Sequence, residues 1–128
     1  LKHMGFRENR DKRYPLVKSF GFAFAGIFEA VRTERNIRIH LVMLAAVAAC
    51  GVYFEASRLE WLFILTAAAG TIALELVNSA LERVVDLVTA DYHPLAKQAK
   101  DIAAGAVLIY AIFSIIIGLI IFVPKIGI

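Results

Sequence analysis

With a single cysteine, Cys50, no intrachain disulfide can form, and its place in an apolar run marks it as a packing residue. The chain has no GxxxxGK[ST] phosphate loop and no protein-kinase catalytic signature, so any nucleotide site must be built differently. Charge is missing altogether from residues 61–73 and 102–123. The second stretch, at 1.5 Å per helical residue, is long enough to cross a hydrocarbon layer of about 30 Å with some tilt. Basic residues are scarce in the later part of the chain: nine of the 14 Lys and Arg precede residue 39. Such asymmetry speaks of membrane topology and not of nucleic acid.

What is present is apolar. Hydrophobic residues make up 60% of the 128, and a mean hydropathy of +0.72 is far above what a soluble domain of this size can bury. The expectation is an all-α, polytopic membrane protein of one domain over residues 16–128, preceded at 1–15 by a tag remnant and a mobile basic segment. Leu1, Lys2 and His3 ahead of Met4 are expected to remain from an expression tag, with no signal peptide following.

From Leu16, the residues Val17, Phe20, Phe24, Phe28 and Val31 recur at spacings of three and four, with Lys18, Ala25, Glu29 and Arg32 on the other side. That pattern predicts an amphipathic surface helix over 16–34. The charged run from Arg32 to His40 then leads into a first span at about 37–55. A solvated turn accounts for its charges, and a cation held by Glu34 between two arginines accounts for them equally. The mixed-sign loop at 55–60 holds one basic residue and is expected to face outward.

Trp61 is expected to anchor a second span over 61–87, whose end reads LELVNSALERVVDL. At 100° per residue, Glu75, Asn78, Ser79, Glu82 and Asp86 fall on one stripe. An acidic residue at mid-membrane costs about 2.5–3.5 kcal/mol, and each large aliphatic residue returns only about 0.3–0.6 kcal/mol. Function is therefore the default reading of the stripe, set against a polar seam that merely joins helices. Glu75 is expected one to two turns below the cytoplasmic surface, with Glu82 and Asp86 at or beyond it.

Pro94 suits the first turn of a third span over 94–123, ended by Pro124 and Lys125. His93 beside it reads as a turn or cap more readily than as a ligand. Ala103, Ala104, Gly105 and Ala106 form a small-residue patch, expected to pack on the carboxylate stripe. The resulting topology has the N-terminus inside, the C-terminus outside, and Glu34, Glu75, Glu82, Asp86, Lys97, Lys100 and Asp101 at the cytoplasmic face. Several acids and a lysine near a helix N-terminus, all at headgroup depth, suit divalent-metal and nucleotide chemistry on a lipid. A proton- or cation-coupled transporter is the alternative of another class. It needs a relay, and the outer halves of the spans lack ionisable groups. A noncatalytic subunit leaves the charge cluster without a purpose.

Three blocks, Arg32-Thr-Glu34-Arg-Asn36, Glu75-Leu-Val-Asn78-Ser-Ala-Leu-Glu82-Arg-Val-Val-Asp86 and His93-Pro-Leu-Ala-Lys97-Gln-Ala-Lys100-Asp101, in this order and spacing, resemble the small prokaryotic diacylglycerol kinase family. Within it they look most like the Gram-positive undecaprenol kinase branch. The resemblance covers about residues 18–125. It implies a homotrimer of three-span protomers in the cell inner membrane, each with an N-terminal surface helix. The implied activity is transfer of the γ-phosphoryl group of ATP, with Mg2+, to undecaprenol for carrier-lipid supply, or to diacylglycerol. By the same resemblance Glu75 is the general base and Glu34 and Glu82 hold magnesium. Asn78, Glu82, Lys100 and Asp101 would contact nucleotide and phosphates, with Asp91, Tyr92 and His93 near the nucleoside. Lys18, Arg35, Glu75 and Ala104 would contact the lipid. Phe22 stands where the diacylglycerol-specific branch has a nucleotide-touching Tyr, and His40 replaces an acid of that branch.

Overall fold

A computed structural model describes residues 15–127. Of the expected tag remnant and mobile basic segment at 1–15, residues 1–14 lie outside the described residues. The chain divides into two compact units, with the boundary between Thr33 and Glu34.

The first unit contains helix α1, Leu16–Thr33. Its last turn is tied internally: the Arg32 guanidinium donates to both carboxylate oxygens of Glu29, at 2.7 and 3.2 Å, and the Thr33 hydroxyl donates to the Glu29 carbonyl at 2.7 Å. The hydrogen bond to Glu29, followed by its charge, raises the Arg32 pKa above its ordinary value. A fixed cation in the last turn complements the helix dipole.

The second unit is built from α2 (Arg35–Tyr53), α3 (Arg58–Val88) and α4 (Pro94–Phe122), with a short 3-10 turn, Pro124–Ile126. Each of the three helices is long and apolar enough to cross a membrane. The chain is thus an all-helical, multi-pass membrane protein. Against the spans expected at 37–55, 61–87 and 94–123, the start at Pro94 is the same and the other ends differ by one to three residues.

Helix starts and stops follow local chemistry. Ser57 and Glu60 form a capping box at the start of α3: the Glu60 amide donates to Ser57 Oγ at 3.1 Å, and the Ser57 amide donates to Glu60 Oε1 at 2.9 Å. Glu60, expected in a loop, is therefore in the first turn of the helix. Helix α2 ends in a Schellman motif, with the Ala56 amide donating to the Gly51 carbonyl and the Glu55 amide to the Val52 carbonyl. Glu55 sits at φ 54°, where glycine is usual. Pro94 opens α4, and the His93 imidazole caps it by accepting the Leu95 amide at 3.1 Å.

Helix α3 is the centre of the unit. A third of its span, 33%, is buried, against 11% for each of the other two. It packs on α4 along much of its length and on α2 to a lesser extent. Two glycines permit the close approaches. A Cβ at Gly70 would lie 2.2 Å from Cζ of Tyr110 on α4, whose hydroxyl donates to the Thr66 carbonyl at 3.1 Å. A Cβ at Gly51 would lie 2.6 Å from the Trp61 ring, so Trp61 packs on α2 in addition to standing at a helix start.

In the small-residue patch Ala103 is half-buried, on the same face of α4 as Val107, Tyr110 and Ser114, while Ala104 is exposed and nothing stands within 4 Å of a Cβ at Gly105. One packing expectation fails: Cys50 is exposed and packs no core.

Inside and outside are inverted relative to a water-soluble bundle. Exposed large apolar residues cover α4, among them Leu108, Ile109, Ile112, Phe113, Ile115, Ile116, Leu119 and Ile120, while Thr71, Glu75, Asn78 and Ser79 of α3 are buried. That distribution places hydrocarbon outside and the polar stripe inside.

Candidate functional site

At 1.5 Å per residue the 31 residues of α3 run about 46 Å, some 16 Å more than a hydrocarbon layer. One end must therefore project, and the polar stripe occupies the C-terminal part of the helix. The N-terminus of α2 and the first turns of α4 lie at the same end of the bundle.

Glu34 is the residue before α2, in extended conformation, and its side chain does not cap its own helix. The carboxylate turns to α3, where it accepts a hydrogen bond from Ser79 Oγ and, at 3.1 Å, another from Arg83 Nη1. Ser79 and Arg83 are four apart and so share a face. Glu82 lies beside them, half-buried, and accepts from Asn78 Nδ2 at 3.3 Å. The other amide atom, Asn78 Oδ1, is buried without any hydrogen-bond partner, a costly arrangement in a low dielectric.

One turn further into the bundle, Glu75 is 3% exposed. Its polar neighbour is His40 of α2, with Nε2 3.8 Å from Oε2. At the opposite end of the stripe, Asp86 accepts from Lys100 of α4 at 2.6 Å, and Lys97 donates to Asp101 within α4 at 2.6 Å. Asp91 and Tyr92 lie exposed in the connection between α3 and α4, where Thr89 Oγ1 accepts from the Asp91 amide at 3.2 Å. His93 is occupied as a cap. Arg35 is exposed at the head of α2 and Ala104 is exposed on α4, while Lys18 and Phe22 are exposed residues of α1.

The geometry thus gathers Glu34, Ser79 and Arg83 into one cluster, Asn78 and Glu82 into a second, Glu75 and His40 into a third, and Asp86 and Lys100 into a fourth. Ser79 and Arg83 as holders of Glu34, and His40 as neighbour of Glu75, escape sequence reasoning. Their signals were slight: for Ser79 and Arg83 a spacing of four on the stripe, for His40 an ionisable residue at the head of an apolar run.

Magnesium takes oxygen ligands and is usually held by one or two carboxylates together with water and substrate phosphates. Among the described residues no group of three or more His, Cys, Asp or Glu side chains could hold a metal alone. Glu34 and Glu82, with the unpartnered Asn78 Oδ1 one turn from Glu82, nevertheless supply hard oxygens of the kind such an ion shares with a nucleotide. The residues fit the group.

Fold and site together define a multi-pass helical membrane protein with an acid-rich polar cluster at one end of its bundle. Comparison with known proteins specifies the class. A sequence model of prokaryotic diacylglycerol kinase matches residues 21–122. The chain is 48% identical over 122 residues to undecaprenol kinase of Bacillus subtilis (strain 168), covering 95% of this chain and 99% of the relative. It is 43% identical over 104 residues to diacylglycerol kinase of a Synechocystis strain, covering 80% of this chain and 59% of the relative. Against diacylglycerol kinase of Escherichia coli (strain K12) it is 31% identical over 103 residues, covering 79% and 83%. The chain belongs to the prokaryotic diacylglycerol kinase family and is a lipid kinase.

Proposed function

We propose that the enzyme transfers the γ-phosphoryl group of ATP, with Mg2+, to undecaprenol, yielding undecaprenyl phosphate. The observation that carries this substrate is the 48% identity with an undecaprenol kinase over 99% of that protein's length. Diacylglycerol is the second reading, favoured by the names of the relatives at 43% and 31% identity.

Phosphoryl transfer demands in-line positioning and charge neutralisation more than covalent chemistry from the protein. Glu75 acts as general base: a carboxylate oxygen takes the hydroxyl proton, the lipid oxygen bonds to the γ-phosphorus, and the bond to the β–γ bridging oxygen breaks to release ADP. Glu34 and Glu82 hold magnesium, whose charge, when bound, neutralises the phosphate oxygens. Asn78, Glu82, Lys100 and Asp101 contact the nucleotide and its phosphates, with Asp91, Tyr92, His93 and Phe22 near the nucleoside. Lys18, Arg35 and Ala104 contact the lipid.

Residues 16–128 act as one lipid-kinase domain. Helix α1 lies amphipathically on the membrane, the site faces the cytoplasm at the inner membrane, and three protomers associate. Association has a physical motive. Eleven residues separate Glu75 from Asp86, the partner of Lys100, or about 16 Å along α3. Within one chain Lys100 is thus far along the helix from the base, and a neighbouring protomer supplies the closer cation.

The reading is tested by incubating the protein in lipid with radiolabelled ATP and equal mole fractions of undecaprenol and diacylglycerol. Undecaprenol is expected to have the higher kcat/KM. A higher value for diacylglycerol replaces the first substrate by the second, and labelling of neither lipid refutes both.

A further inference from the structure

We infer that His40 positions the Glu75 carboxylate for proton abstraction; the inference rests on the reading of Glu75 as general base. Three observations converge on it. The His40 Nε2 is the one polar partner of Glu75 among the described residues, 3.8 Å from Oε2. Both side chains are shielded, at 21% and 4% exposure. His40 also stands at the head of a cavity of about 210 Å³ between α2, α3 and α4, walled by Leu44, Val47, Ile64, Ala67 and Ile115. With Thr71 and Ser114 it is one of three polar residues lining a largely apolar space, and the one that approaches the base.

A buried carboxylate serves as a base only when one oxygen faces the hydroxyl, and a donor to the other oxygen sets that orientation. The His40 imidazole supplies it: Nε2–H donates to Oε2, while Oε1 remains available to the lipid hydroxyl. His40 keeps its own proton throughout, and the hydroxyl proton ends on Glu75. The 3.8 Å separation is longer than a hydrogen bond, and contacts of this kind commonly tighten when substrate is bound.

The test compares His40→Phe, His40→Leu and His40→Gln with wild type and with Glu75→Gln, in the full chain reconstituted in lipid. Phe keeps a ring without a donor, Leu guards against a steric failure of Phe, and Gln restores an N–H at the reach of Nε2. Phe and Leu are expected to lower kcat about 10- to 100-fold, the loss of one charge-assisted hydrogen bond, with KM for ATP and lipid held within about twofold. Gln is expected to recover kcat to within about threefold of wild type. Wild-type kcat in both Phe and Leu overturns the inference, as does a Gln variant no better than Phe. So does a loss confined to the lipid KM, which would make His40 merely part of the cavity wall. If Glu75→Gln is inactive while Phe and Leu are fully active, only the role of His40 falls. If Glu75→Gln is active, the base assignment itself fails.

Discussion

Gly70→Ala probes the contact that sets α3 against α4. The added methyl would lie 2.2 Å from Cζ, 2.3 Å from Oη and 2.4 Å from Cε1 of Tyr110, separations that no pair of carbon or oxygen atoms tolerates. Two responses are available. If the helices separate, the packing around Thr71 and Ser114, whose hydroxyls are 3.0 Å apart, opens with them. If the ring swings out, the hydrogen bond from Tyr110 to the Thr66 carbonyl is lost. Overpacking of this kind costs about 1–3 kcal/mol, and a lost hydrogen bond about 0.5–1.5 kcal/mol. A destabilisation of about 1–3 kcal/mol is therefore expected, equivalent to about 5- to 150-fold in the unfolding equilibrium. The assay is reversible unfolding in mixed micelles, followed by the Trp61 fluorescence. Tyr110→Phe leaves Cζ in place and should not rescue Gly70→Ala, whereas Tyr110→Ala should recover part of the loss in the double variant. An unchanged midpoint for Gly70→Ala, or equal rescue by Phe and Ala, refutes the reasoning.

Glu34→Ala and Glu82→Ala each remove an anionic oxygen from the proposed magnesium site and should raise the midpoint of the magnesium titration of activity at least about tenfold. Unmoved midpoints in both variants would show that the metal lies elsewhere. Mixing inactive Glu75→Gln protomers with inactive Lys100→Ala protomers should restore activity, because the two residues would serve one site from different chains. Failure of rescue in assemblies shown to be mixed would place both residues in a single protomer's site.

The stripe from Glu75 to Asp86 was legible in the sequence because helical periodicity alone aligns it, and membrane helices are legible wherever charge is absent. The three apolar helices could be read from composition, and the lipid-kinase family from the resemblance carried by the three motif blocks. Pairings across long stretches of chain could not. Glu34 meets Ser79 and Arg83, 45 and 49 residues away, and no local rule points from one to the other. His40 meets Glu75 for the same kind of reason: a helix pattern gives the face but not the rotation of its neighbour. The capping box at Ser57 and Glu60 obeys a local rule, yet the mixed charges around it read as a loop. Glu55 in a left-handed conformation carries no signal, since glycine is the residue that announces such a position.

The most direct test of the account is Glu75→Gln, measured for phosphoryl transfer and for ATP affinity in the same preparation. The amide keeps the shape of the side chain but cannot accept the hydroxyl proton, and Glu75, 3% exposed, has no acidic substitute on its own turn of α3. Transfer is expected to fall by at least about 10²-fold while ATP affinity stays within about twofold of wild type. Wild-type turnover by Glu75→Gln would contradict the account.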